Sequence, residues 1–223
     1  MNYNNSGNVL LLAENIIAAG IPYFEYDDDD KTRSIDGEEK ILQNNYKYSQ
    51  IRAFLNGLDY FDEQNKKSSV YTNMGFLQSA FTKKALSKIA DSLIDNSVTS
   101  AVDSFVLLDS NPEFACENTT DKVFLLSEKE VTDENFGFDS YEIYGEANSR
   151  IRKATDFAKS SSAYENCDEE AKLGGWWWLR SPAYVATDAR NISDDGDAAL
   201  AAGAYSGEVG IVPAICVPAK YFE

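Results

Sequence analysis

Three consecutive tryptophans, Trp176, Trp177 and Trp178, constrain this chain more than any other feature. They follow Gly174-Gly175 and run into Leu179, which reads as a tryptophan-rich strand. Side chains alternate across a strand, so Trp177 faces opposite Trp176 and Trp178. At least one ring then belongs to a core, while another is free to line a groove as an aromatic floor for a ligand. The plainer reading makes all three anchors in or beside the core, and it predicts that at least two are largely buried. Arg180 comes next in apolar surroundings, so its guanidinium needs carboxylate or carbonyl partners. A structural arginine that pins the turn at Ser181-Pro182 is favoured over a ligand contact.

The rest of the chain reads as short elements. Val9 to Ala13 is a strand, and Asn15 to Tyr26 a loop or short strand ending in an aspartate run. Ser49 to Leu58 is a helix with Ser49 as N-cap, Ile51, Phe54, Leu55 and Leu58 on one face, and Asn56-Gly57 as stop signal. Phe76 to Phe81 is a short helix or turn, and Thr82 caps a helical stretch to about Ile89. Val123 to Leu126 is a buried strand, and Ser127-Glu128-Lys129-Glu130 opens a helix by the capping-box rule. Ser149 to Lys159 reads as amphipathic, with Ile151, Ala154 and Phe157 or Ala158 on one side; Ser160 to Lys172 reads as a loop. From Ala183 to Gly210 small and polar residues alternate with glycine turns, which predicts short antiparallel strands. Val209 to Val217 closes the chain as a core strand in which Pro213 demands a bulge or edge position. No linker or internal repeat divides residues 1–223, so a single domain is expected. A chain of 223 residues with 43% hydrophobic and 13% aromatic content buries a core without disulfide or metal.

Charge and residue usage exclude several chemistries. The net charge of −17 repels phosphate backbones and anionic membranes, so nucleic acid is a poor partner. No stretch has the length of a membrane span, and Met1 to Asn8 lacks the apolar core of a signal peptide. Histidine is absent, which removes Ser-His-Asp and Cys-His catalysis and His-ligated zinc. Cys116, Cys167 and Cys216 show no C-x-x-C spacing. Cys216 reads as a buried strand residue, while Cys116 and Cys167 fit either a pair or two free thiols. The run Asp27 to Asp30 lacks the spaced ligands and turn glycine of a calcium loop, and Asp194, Asp195, Gly196 and Asp197 fit a β-turn better than a calcium site. No metal and no other cofactor is predicted. Sequence alone cannot select a catalytic pair from 37 carboxylates.

Trp177-Trp178-Leu179-Arg180-Ser181-Pro182 resembles the W-W-L-R-S-P signature of a bacterial domain family of uncharacterised function. Gly210-Ile211-Val212-Pro213-Ala214 is similar to that family's terminal G-V-R/V-P-A strand. Further stretches match in order from about residue 7 to residue 217. They include Tyr48-Ser49-Gln50-Ile51-Arg52, Asp121-Lys122-Val123-Phe124-Leu125-Leu126-Ser127 and Arg152-Lys153-Ala154-Thr155-Asp156-Phe157-Ala158. The family resembles the formylglycine-generating-enzyme branch of the C-type-lectin fold, which includes variable proteins of diversity-generating retroelements. The resemblance implies an α+β, C-type-lectin-like domain. Its small twisted antiparallel sheet would carry two main helices and long inserts, with the terminal strands adjacent. It also implies a ligand-binding display module at the cell surface or exported, not an enzyme, with a protein or other macromolecular partner.

The resemblance makes Trp176, Trp177, Trp178, Arg180 and Pro213 framework. Residues 183–208 become a candidate variable segment, with Tyr184, Asp188, Ser193, Asp197, Leu200 and Tyr205 as contacts. Tyrosine offers a large amphipathic surface with few rotatable bonds, and aspartate a directional acceptor. Adenine-directed mutation of asparagine codons yields Ala, Asp, Ser, Thr, Tyr, Gly and Leu, in which this segment is rich, although turn-rich strands favour several of the same residues. The alanines at 198, 199, 201, 202 and 204 would form a flat, weakly binding surface. The rival readings are an oxidase of the formylglycine-generating type and a structural cell-envelope domain. The oxidase needs a cysteine pair in the C-terminal part, where only Cys216 lies.

Overall fold

The computed structural model describes residue 3 and residues 7–24, 32–63, 67–102, 112–142, 145–168 and 173–222. The aspartate run at 27–30 lies outside the described residues.

The strands in chain order are β1 (Asn8–Leu12), β2 (Thr32–Ile35), β3 (Glu38–Leu42), β4 (Asp59–Asp62), β5 (Lys67–Val70), β6 (Ser92–Ile94), β7 (Thr119–Asp121) and β8 (Val123–Phe124). β9 (Trp177–Pro182), β10 (Asp188–Ile192), β11 (Leu200–Gly203) and β12 (Ala214–Pro218) follow. They form small sheets ordered β1-β12-β8, β11-β10-β9, β3-β2-β4-β5 and β6-β7, with every strand pair antiparallel. The helices are α1 (Gln50–Asn56), α2 (Phe76–Ala80), α3 (Lys83–Leu86), α4 (Glu128–Val131) and α5 (Asp156–Ser160). The architecture is therefore α+β, with small antiparallel sheets and short helices. Among the described residues no helix is long and apolar enough to cross a membrane.

Local signals set the helix starts. Ser49 accepts from the Arg52 amide, Thr82 from Ala85, Thr155 from Ala158, and Ser127 with Glu130 forms a full capping box. Among the described residues the longest helix is α1, at seven residues. The amphipathic stretch 149–159 is α-helical only at its end. Its centre is claimed by residue 16: Ile16 N–H donates to the Lys153 carbonyl at 2.9 Å, and Thr155 N–H to the Ile16 carbonyl at 3.0 Å. Helix α5 starts only after that pairing, so Phe157 faces solvent while Ala158 is buried.

Tryptophan alternation builds the core. Trp177 and Trp178 are both 0% exposed and belong to different apolar clusters. Trp177 packs with Ile16, Phe124, Leu126, Leu179 and Val212. Trp178 packs with Tyr23, Ile51, Leu55, Val123 and Leu125, its ring edge-on to Tyr23 at 5.2 Å. Val123 to Leu126 alternates between the same two clusters, so each strand feeds both faces. Trp176 is half-buried, and its ring lies 4.4 Å from Tyr164. β9 is gripped on both edges: β10 pairs along one, and along the other the Trp178 amide donates to Gly210 and the Arg180 amide to Leu126, each at 2.9 Å.

The closing segment departs from the expected form. β12 begins at Ala214, and Pro213 is buried just before it, accepting at its carbonyl from Ala13 N–H at 3.0 Å. β12 is the middle strand of its sheet, not an edge. Proline fits because it precedes the ladder, where no amide is required. β1 pairs along β12 from Asn8↔Pro218 to Leu12↔Ala214, so the two terminal strands lie side by side.

Candidate functional site

Arg180 is the clamp of the framework. Its Nη2 donates to Glu130 Oε1 at 2.9 Å, Nη1 also reaches Glu130, and further bonds go to the Leu125 and Asp95 carbonyls. Glu130 in turn accepts from Tyr3 Oη at 2.8 Å and from the Ser127 amide at 2.8 Å. Burial opposes ionisation of Glu130, but the adjacent Arg180 charge overrides it and holds the carboxyl below its ordinary value. The guanidinium thus has the carboxylate and carbonyl partners that its apolar sequence setting requires.

Residues 183–208 are less exposed than expected. Ala189, Ile192 and Ala204 are fully buried, and Arg190, Asn191 and Ala198 nearly so. Arg190 lies 3.4 Å from Glu128, and its Nη1 donates to the Ala199 carbonyl at 2.7 Å. Ser193 and Asp197, proposed as contacts, are 3% and 5% exposed. They build the turn between β10 and β11. Asp197 N–H donates to Ser193 Oγ at 3.0 Å, Asp197 Oδ1 accepts from Ala199 N–H at 2.8 Å, and Gly196 N–H closes onto Ser193 at 3.1 Å. Arg150 Nε donates to the Gly196 carbonyl at 2.6 Å. A Cβ at Gly196 would fall 2.1 Å from the Ala147 carbonyl, so only glycine admits this packing. Burial raises the Asp197 pKa. These two side chains are turn structure, unavailable as an exposed surface. The alanine surface also fails as drawn: Ala198 and Ala204 are core, and Ala199, Ala201 and Ala202 are half-buried.

What remains outside is clustered. Tyr184, Val185 and Tyr205 are 55%, 38% and 46% exposed, and Asp188 and Leu200 are half-buried. The register Asp188↔Gly203 and the bond from Ala204 N–H to the Thr187 carbonyl (2.7 Å) place both tyrosines at the same end of the sheet. Asn44 holds the Tyr184 turn from behind, through its amide to the Ala186 carbonyl at 3.2 Å and its Nδ2 to the Val185 carbonyl at 3.1 Å. The Tyr184 ring lies 5.8 Å from the Arg190 guanidinium. Nothing in the sequence pointed to Asn44, which lies far upstream in a polar stretch. Val185 carries no sequence signal, because a single exposed valine makes no pattern.

The cysteines are all free: Cys116 half-buried, Cys167 exposed and Cys216 buried. Burial pushes the thiols of Cys116 and Cys216 up, away from thiolate. Cys167 lies at a cleft of about 430 Å³ shared with Lys153, Lys159 and Glu165. A second cleft of about 410 Å³ carries Glu134, Asp139, Glu142 and Glu146 over Arg150. Among the described residues no group of three or more carboxylates or thiols is arranged to hold a metal ion.

The fold and this surface define a mixed α+β domain with a buried tryptophan-arginine framework and a small exposed aromatic patch. The chain belongs to the family of the domain of unknown function DUF6273, whose family model matches residues 6–219. Neither a curated protein nor a solved structure matches it.

Proposed function

We propose that this protein is a non-catalytic binding module that presents the end of its β9–β10–β11 sheet to a macromolecular partner. The observation that carries the reading is the pinned patch: Tyr184, Val185 and Tyr205 point outward from a backbone tied down by Asn44, Thr187 and Ala204. Rigid exposed aromatics lose little conformational entropy on binding, which is how recognition surfaces gain affinity. The domain fits the formylglycine-generating-enzyme branch of the C-type-lectin fold, as its W-W-L-R-S-P strand and adjacent termini suggest. An exported or surface location follows from the same resemblance. Within it, positions open to diversification are those that leave the core: 184–188, 194, 195, 199–203 and 205–208. Oxidase chemistry of that branch finds little support, because Cys116 and Cys216 pack in different clusters and no two cysteines are joined.

The test is a combined variant, Tyr184→Ala with Asp188→Ala and Tyr205→Ala, assayed against a partner captured by the wild-type protein. Binding is expected to fall at least about a hundredfold if two of the three act as hot spots, with melting unchanged. Undiminished binding by a folded triple variant places the site elsewhere.

A further inference from the structure

Among the described residues β11 is the outer strand of its sheet, and part of its main chain is unpaired. The bond from Ala204 N–H to the Thr187 carbonyl makes these two residues a hydrogen-bonded pair. Such pairs alternate along antiparallel strands. Ala202 with Ala189 and Leu200 with Asn191 are therefore the next bonded pairs, and Ala201 and Gly203 direct their main-chain groups away from β10. Ser206 N–H takes up the Gly203 carbonyl at 2.8 Å. Among the described residues nothing pairs with the Ala201 N–H, the Ala201 carbonyl or the Gly203 N–H.

The side chains around this edge leave room. Ala201 and Gly203 share one face of the strand. The Tyr205 ring lies over Gly203, where an added Cβ would meet Cε1 at 2.7 Å. Arg190 is directly opposite Ala201, and its guanidinium reaches toward Tyr184. Two tyrosines thus flank a floor of small residues. Folded proteins guard sheet edges with lysine, proline or bulges, and Leu200-Ala201-Ala202-Gly203 contains none of these. Asp188 lies opposite Gly203 at this end of the ribbon, while Asp194, Asp195 and Asp197 belong to the turn at its other end, and the one arginine of residues 183–208 faces Glu128. A second copy of this chain, at −17, meets repulsion here, whereas a cationic segment gains from Asp188, from the net negative charge and from the tyrosine faces.

We propose that β11 receives an extended, basic segment of a partner protein as an added strand, with its cationic side chains beside Tyr184, Tyr205 and Asp188. This deepens the binding-module reading and rests on it. Main-chain pairing supplies affinity with little dependence on side-chain sequence, so a generic probe suffices.

The probe is an end-blocked heptapeptide alternating valine with lysine and arginine (KVRVKVR), compared with its acidic counterpart EVDVEVD, each titrated to about 1 mM, the weak end of specific binding. With KVRVKVR the Ala201 and Gly203 amides are expected to shift in NMR spectra and to become protected from exchange. Ala201→Pro removes an outward N–H and no ladder bond, so the fold is retained while affinity drops about tenfold or more. Methylating the inward-facing amides of the peptide makes the same test on the unaltered protein, and loss of binding is expected there too. Binding that survives both changes but disappears in the Tyr184, Asp188 and Tyr205 triple variant overturns strand addition and leaves the binding face intact. Binding that survives all three overturns both. Equal binding of EVDVEVD refutes the charge assignment. No binding of KVRVKVR overturns the proposal while the captured partner still tests the face.

Discussion

β9 and the β10–β11 ribbon belong to one sheet and are used in opposite ways. Along β9 every side chain from Trp177 to Pro182 is buried, and the strand is bonded to β10 on one edge and to Leu126 and Gly210 on the other. The ribbon is also firmly held, but at one end it sends Tyr184, Val185 and Tyr205 out of the protein, and among the described residues one edge of β11 is unpaired. Backbone order is thus shared, and only side-chain direction separates framework from display. Substitutions on β9 should therefore act on stability, and substitutions at the ribbon end on binding.

The largest effect is expected at the tryptophans. Trp177→Ala or Trp178→Ala removes a fully buried ring from its cluster and is expected to cost about 3–5 kcal/mol. That is a large part of a typical folding stability of about 5–15 kcal/mol. Trp176→Ala, at a half-buried ring, is expected to cost clearly less. Chemical denaturation of the three single variants checks the order. Equal small losses at all three would erase the contrast between β9 and the ribbon.

The Arg180–Glu130 clamp comes next and depends on pH. Glu130 is held below its ordinary value, so it stabilises the fold above that value, 4.5, and the contribution is lost as pH falls through the lower, folded-state one. Glu130→Gln leaves Arg180 buried beside a neutral group and is expected to cost about 3 kcal/mol near neutrality. The gap between wild type and variant should then shrink as the pH is taken below about 4. A gap that stays constant from neutrality down to pH about 2 would mean that Glu130 titrates alike in the folded and unfolded chain, so that Arg180 does not favour its ionised form.

The framework was far more legible in the sequence than the site. Ser49, Thr82 and Ser127 announce their helices because capping is satisfied within three residues. Tryptophan alternation is equally local, and an arginine inside an apolar run needs partners wherever the strand goes. Ser193 and Asp197 misled because a short polar turn reads as surface until Arg150 and Ala147, more than forty residues upstream, are packed against Gly196. The late helix start in the 149–159 stretch has the same kind of cause, since its backbone is claimed by Ile16. At the display end only Tyr184, Asp188 and Tyr205 could be guessed. Their common location depends on the β10–β11 register, and Asn44 reaches the turn across 141 residues of chain.

The most direct test of the central claim is a hydrogen-exchange footprint of the wild-type protein with its captured partner. The account predicts added protection confined to residues 184–188 and 200–205, with β9 already protected before the partner is added. Protection at the Cys167 cleft or along β4 and β5, with 184–188 and 200–205 unchanged, would contradict it.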